Sequence, residues 1–413
     1  MPPIRHTTLP IPAASGDGMS AAGRVRRVAV LPGDGVGAEV VAGPVELLEA
    51  IGGAGRIELT GPWPVGASAF GELGTGLPAD TLAACDGSDA MFFGAAGEHP
   101  GVSLDDYRPE HSIIGLRQRY DLRVSIRNIV RADRNTNDGG TPAAAERNPT
   151  GDRDAAPTSG GTTTSGGAAD RPLIVLRNLL GGAYGAASTR TESDGTDAAC
   201  DEVILTPEQI AELAEMACDL VEQGLASSIV SADKANLMAT SRLWRLITGR
   251  VAETRGVPLR HTYIDRMAFE LAHDDVVADT VVLTEGIFGD MLSDLAAGRA
   301  GSIALCGSAS VNPGPPVQGR CVGLFEPVHG SAPRHTGKGK VNPSGAYLAL
   351  AALLEWFPDT AKLGPPVTAA LSEALQTGPL TYDLAPAGTE PAGTASFAAA
   401  VNARALPRLK ELL

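Results

Sequence analysis

The chain of 413 residues is poor in basic side chains: 33 Lys and Arg stand against 48 Asp and Glu, a net charge of −15. That balance excludes the clustered cationic footprint on which nucleic-acid binding rests. Cysteine is sparse as well. Cys85, Cys200, Cys218, Cys306 and Cys321 are widely spaced and form no C-x-x-C pair, which argues against a disulfide framework or a zinc site. No apolar run is long enough to span a bilayer, and residues 1–23 lack the continuous apolar core of a signal peptide. Residues 134–170 contain no Val, Ile, Leu, Met or aromatic residue. Such a stretch cannot bury enough apolar surface to offset its ordering entropy, so it reads as a disordered surface insertion. No internal repeat is visible. A soluble, cytoplasmic protein without nucleic-acid or membrane partners is expected.

What is present suits a large folded chain. Hydrophobic content of 43% and charged content of 20% are those of a globular protein, and the length allows two domains. The segment RVRRVAVLP predicts a strand ending at Pro32, followed by the loop GDGVG and a helix from about Ala38 to Ala50. Short apolar runs at 91–94, 173–176, 227–230 and 280–284 predict further buried strands. A helix is expected after Thr206, with Pro207 at its first position and Gln209 completing a capping box. Its apolar positions Ile210, Leu213, Ala214, Ala217, Leu220 and Val221 repeat at helical spacing up to Gly224. Strands alternating with helices predict an α/β fold around a largely parallel sheet. The polar patch 186–200 reads as an exposed loop or weakly ordered arm.

The chemistry-bearing residues are charged and placed at element ends. TEGIFGDMLSD sets Asp290 and Asp294 four positions apart on one helix face, where both can reach one ion. Oxygen donors without His or Cys suit Mg²⁺ or Mn²⁺. Arg117, Arg127 and Arg177 are suited to gripping carboxylates, and Arg177 follows a strand at a position where parallel sheets place ligands. Arg119 and Arg123 read as surface arginines. Gly181 and Gly182 permit close backbone approach beside Tyr184. Asp233 and Lys234 leave another strand, and Asp265 is a plausible third oxygen ligand.

In this order and at these spacings, LPGDGVGAEV, RPEHSIIGLRQRYDL, LGGAYG, DKANLMATSRLW, YIDRMAFEL, TEGIFGDMLSDLA and GLFEPVHGSAPRHTGKGKVNP resemble the β-decarboxylating dehydrogenases, most closely their isopropylmalate branch. The resemblance runs from about Val25 to the C-terminus. It implies a two-domain fold that is not a Rossmann domain: a tail at 1–24, a dinucleotide-binding domain from 25–122 and 301–413, and a second domain from 123–300. It implies Arg117, Arg127 and Arg177 as substrate-carboxylate arginines, Tyr184 and Lys234 as proton-transfer groups, and Asp265, Asp290 and Asp294 around the metal. It further implies a homodimer with shared active sites, Lys234 and Asp265 reaching into the neighbouring subunit, and a place in leucine biosynthesis. Glu326, His329, Gly330, Ser331, Ala332, Pro333, Arg334, His335 and Asn342 match the dinucleotide segment.

Substrate choice is expected to rest on RPEHSIIGLRQ. Ile113 and Ile114, with Leu237 in the same pocket and Glu110 at its edge, form an apolar wall that penalises a third carboxylate. A 3-alkylmalate such as 3-isopropylmalate is therefore expected over isocitrate, with homoisocitrate, tartrate and D-malate as competitors and a non-catalytic regulatory paralogue as the other alternative. Arg334 and His335 stand where NAD-dependent members carry Asp, which favours NADP over NAD. Gly286 replaces a usual Asn, Asn128 a usual Pro, and NLLGGAYGAA departs from the usual ELTGGIYFG.

Overall fold

The computed structural model describes residues 24–130, 173–184, 188–193, 196–273 and 279–413; the expected insertion at 134–170 and residues 1–23 lie outside them. Strands among the described residues are β1 (Arg26–Gly33), β2 (Ile57–Thr60), β3 (Ala90–Ala95), β4 (Val124–Ile129), β5 (Leu173–Asn178), β6 (Ser188–Ser193), β7 (Thr196–Asp201), β8 (Ser228–Asp233), β9 (Leu259–Tyr263), β10 (Thr280–Thr284), β11 (Cys306–Val311) and β12 (Gly323–Pro327). Ten of them build one sheet in the order β2-β1-β3-β12-β11-β4-β5-β10-β8-β9. Both wings are parallel, as the βα alternation predicts. The centre is not: β12, β11, β4 and β5 pair antiparallel in sequence. The two wings therefore run in opposite directions across one continuous sheet.

Local sequence accounts for most elements. The helix after the GDGVG loop spans Gly37–Gly53. Helix Pro207–Glu222 starts with the expected box: the Gln209 amide donates to Thr206 Oγ1 at 3.3 Å, and the Thr206 amide donates to Gln209 Oε1 at 3.1 Å. Its predicted inner face is buried apart from Val221, which is half-buried. Helix Ser344–Trp356 is buried along its whole length, as its nearly all-apolar sequence SGAYLALAALLEW requires. It covers one face of β11, where Gly307 leaves room for it; an added Cβ there would lie 2.6 Å from Leu348 Cβ. The patch at 186–200 is more regular than expected, since β6 and β7 pair as an antiparallel ladder separate from the main sheet. Backbone pairing, which composition does not reveal, orders that segment. No helix among the described residues is long and apolar enough to cross a membrane.

Candidate active site

Strand register decides which side chains share the face opposite helix Ser344–Trp356. Arg127 of β4 lies across from Ser308 of β11, and Ser308 across from Glu326 of β12. Arg127 also faces Val175 of β5, and Arg177 two residues further along emerges on the same side. Glu326, Ser308, Arg127 and Arg177 accordingly line one cavity of about 290 Å³. Arg177 thus joins the face of the antiparallel centre and also ends a parallel pair, as its position after LIVL suggested, since it lies across from Thr284, the last residue of β10. Ser308 had no signal in CGSASV, because register is a long-range property.

The walls come from four other segments. Helix Glu110–Arg119 contributes Glu110, Ile113, Ile114 and, from its last turn, Arg117. The chain leaving β5 adds Leu179, Leu180 and Tyr184, and the chain leaving β12 adds Val328, His329 and Gly330. Helix Gly286–Ala300 presents Asp290. Three guanidinium groups and the apolar side chains of Ile113, Ile114, Leu179, Leu180 and Val328 line the same cavity. Leu179, Leu180 and Val328 escaped the sequence reading, since isolated leucines next to glycines look like ordinary core.

Asp290 is the electrostatic centre. Its Oδ1 accepts from Arg127 Nη2 at 2.9 Å and pairs with Arg177 Nη2 at 2.9 Å, while Tyr184 Oη donates to Oδ2 at 3.3 Å. Arg127 also bonds Ser293 and reaches Asp294 Oδ1 at 3.2 Å. Arg117 Nη2 donates to Glu326 Oε1 at 2.9 Å. The Nε atoms of Arg117, Arg127 and Arg177 are buried without a hydrogen-bond partner, so each arginine retains donor capacity for an anion. Burial, reinforced by repulsion from Arg127, lowers the proton affinity of Arg177, and Asp290 opposes that shift. Burial and the adjacent Asp290 carboxylate together raise the Tyr184 phenol above its ordinary value, which keeps it protonated.

The acidic pair fits a hard cation. Asp290 and Asp294 share one face of helix Gly286–Ala300, and the Asp294 carboxyl is raised by burial and by repulsion from Asp290. A divalent ion would relieve that repulsion. Among the described residues no group of three or more His, Cys, Asp or Glu side chains converges for a metal. The third expected ligand, Asp265, instead accepts from Lys234 Nζ at 2.9 Å, an interaction that lowers its carboxyl.

Neither Lys234 nor Asp265 lines the cavity, and Leu237, expected in its wall, is exposed. All three leave or follow the β8 and β9 wing, away from the arginine row. The dinucleotide segment divides in a similar way. Glu326, His329 and Gly330 line the arginine cavity, whereas Ser331, Ala332 and Pro333 line a second cavity of about 680 Å³ with Gly97 and Arg108. The two cavities share Ala96, Glu110 and Gly330. Ala332 adopts a φ of 42°, a left-handed conformation that L-residues rarely hold outside functional loops. Glu39 clamps this loop by accepting from the amides of Gly337 at 2.5 Å and Gly339 at 3.0 Å. Arg334 is exposed, His335 stacks on Tyr382 with ring centroids 5.3 Å apart, and Asn342 is buried against Asp383.

Glu285, beside the site, caps helix Gly286–Ala300 by accepting from the Phe288 amide at 3.4 Å, while its Oε2 is buried without a hydrogen-bond partner. Burial raises its carboxyl above the ordinary 4.5. The charged form is disfavoured in the fold, so the stability of the protonated form is lost as pH rises through the folded value. Glu285→Gln is therefore expected to gain on the wild type above about pH 4.5, by about 1–3 °C in melting temperature. Thermal melts from pH 4 to 8 check this, and a gap that shrinks with rising pH would refute it.

Comparison with known proteins places this arrangement. The sequence profile described as isocitrate/isopropylmalate dehydrogenase matches residues 27–145 and 162–401. The 3-isopropylmalate dehydrogenase of Geobacillus kaustophilus (strain HTA426) is 35% identical over 369 residues, covering 88% of this chain and 91% of that protein. The 3-isopropylmalate dehydrogenase of Symbiobacterium thermophilum is 34% identical over 91% of this chain and 98% of its own length. Among solved structures, isocitrate dehydrogenase from Methylococcus capsulatus superposes with a TM-score of 0.73 at 25% identity, covering 92% of this chain and 100% of that one. The apo β-decarboxylating dehydrogenase from Thermococcus kodakarensis gives a TM-score of 0.69 at 28% identity over 94% and 97% of the two chains.

Proposed function

Since the chain belongs to the isocitrate/isopropylmalate dehydrogenase family, oxidoreductases that oxidatively decarboxylate a hydroxy acid, we propose that its substrate is 3-isopropylmalate or a related 3-alkyl (2R)-malate. One observation carries this reading: the cavity combines three arginines with the apolar side chains of Ile113, Ile114, Leu179, Leu180 and Val328. The arginines hold the two malate carboxylates by charge-assisted hydrogen bonds. The apolar wall takes the alkyl group and disfavours the third carboxylate of isocitrate, which would lose water without gaining a partner.

Asp290 and Asp294, with Asp265 of a second subunit, hold Mg²⁺ or Mn²⁺. A bound cation would supply Lewis acidity for the C2 oxygen, and a bound oxidised nicotinamide would supply the acceptor for the C2 hydride. Lys234 of the second subunit, through water, accepts the C2 hydroxyl proton. Departure of CO₂ leaves an enolate, and the Tyr184 hydroxyl gives its proton to C3. Support for the shared site is the position of Lys234 and Asp265, paired with each other outside the cavity, together with exposed Phe269, Met291 and Leu295 on two contacting helices. A homodimer covers that apolar surface. We place the dinucleotide in the cavity beside Ser331–Pro333, between the lobes 25–122 with 301–413 and 123–300, and the protein in the cytoplasm.

The dinucleotide is NADP. Arg334 is an exposed cation next in sequence to His335, which stacks on Tyr382, and Lys340 Nζ lies 4.9 Å from the Tyr382 ring centroid; these charges suit a 2′-phosphate. Arg334→Asp is expected to shift the kcat/KM ratio from NADP towards NAD by about ten- to a hundredfold, the worth of one or two charge-assisted bonds. An unchanged ratio would remove Arg334 from cofactor choice. The reading as a whole is tested by reduced-cofactor formation at 340 nm with Mg²⁺, crossing NAD and NADP with 3-isopropylmalate, isocitrate, homoisocitrate, D-malate and tartrate. Turnover of isopropylmalate alone supports it; preferential turnover of isocitrate overturns the apolar-wall argument.

A further inference from the structure

We infer that Gly286 is a positioning residue for Tyr184: its missing side chain is the space in which the phenol ring rests. The inference rests on the general-acid role proposed for Tyr184. Gly286 is the first residue of helix Gly286–Ala300, and its backbone lies outside the left-handed region, so conformation alone does not require glycine there. Space does. A Cβ on Gly286 would lie 2.6 Å from Tyr184 Cδ2, 2.8 Å from Tyr184 Cε2 and 2.9 Å from the Asn178 carbonyl oxygen.

The carbonyl belongs to the end of β5 and cannot retreat, so the ring must. Restoring ordinary contact moves the rigid phenol by roughly 1 Å, enough to cost about 10²-fold where a reacting group must be aligned. The same residue also holds an arginine that borders the ring. Gly286 O accepts from Arg177 Nη1 at 3.1 Å, and the Arg177 guanidinium carbon lies 5.8 Å from the Tyr184 ring centroid. Tyr184 thus borders a bare helix turn and a substrate arginine, with its hydroxyl directed to Asp290.

The test isolates the proton transfer. Tyr184 breaks its O–H bond as the C3–H bond forms, and the reverse step returns that proton to the phenolate. Run in D₂O with Mg²⁺ and the 2-oxo acid product 4-methyl-2-oxopentanoate, the two steps exchange C3 hydrogen for deuterium, which NMR follows without net turnover. Gly286→Ala is expected to slow this exchange by about 10²-fold, while Mn²⁺ affinity stays at the wild-type value. In a Tyr184→Phe background, the same substitution is expected to cause no further loss, because its effect passes through the missing hydroxyl. Wild-type exchange in Gly286→Ala, or an equal further loss in the Tyr184→Phe background, overturns the inference about Gly286. Wild-type exchange in Tyr184→Phe alone overturns the acid role itself, a separate result.

Discussion

Asp290→Asn is expected to abolish metal-dependent turnover while leaving the fold intact. One Asp290 oxygen serves both Arg127 and Arg177, and the other receives the Tyr184 hydroxyl. The amide keeps the shape of the side chain but removes the charge. Two nearly buried guanidinium groups then face each other without an anion between them, and the cation loses one of its two carboxylates from this subunit. Lewis-acid stabilisation contributes several kcal/mol to such reactions. Its loss corresponds to at least about 10³-fold in rate. Stability falls as well, because the partners of the 42% exposed Asp290 are guanidinium groups only 9% and 3% exposed, while the matched shape of the amide preserves the packing. Steady-state rates at saturating Mg²⁺, paired with Mn²⁺ titration and a thermal melt, separate the two effects. A rate within tenfold of wild type would remove Asp290 from the metal site.

The same hub marks the limit of sequence reading. Asp290 and Asp294 were visible as a pair because helix geometry fixes i and i+4 on one face, whatever the rest of the chain does. The strands β3, β5, β8 and β10 were visible as short runs of Val, Ile, Leu and Phe, and the Thr206 capping box marked its helix. The antiparallel centre was hidden. β11 reads CGSASV, small residues with no apolar run, yet it is buried throughout because helix Ser344–Trp356 fits closely over Gly307. Without that strand, nothing joins Arg127 to Glu326 in one row. The arginines make the same point. Arg119 and Arg123 look no different in sequence from Arg127, but they end in partly buried ion pairs with Asp86 and with Glu212 and Asp121. Only pairing between distant strands turns Arg127 and Arg177 inward.

Mixing two inactive variants is expected to restore activity if the site is shared between subunits. Lys234→Met lacks the proposed base, and Asp290→Asn lacks the metal carboxylate; each homodimer should be inactive by on the order of 10²-fold or more. In a mixed dimer, the cavity of the Lys234→Met subunit retains its own Asp290 and receives Lys234 from its partner. The other cavity lacks both. Half of randomly re-formed dimers are mixed, and each has one complete site of two, so about a quarter of wild-type activity should return. Were Lys234 to serve its own cavity, both sites of the mixed dimer would lack one essential group, and nothing would return. The observed pairing of Lys234 with Asp265, outside the cavity that holds Tyr184 and Asp290, is the reason to expect the first result. Co-expression with two affinity tags, purification of the doubly tagged dimer and a single rate measurement decide between the two arrangements, and that pure mixed dimer should show about half of wild-type activity.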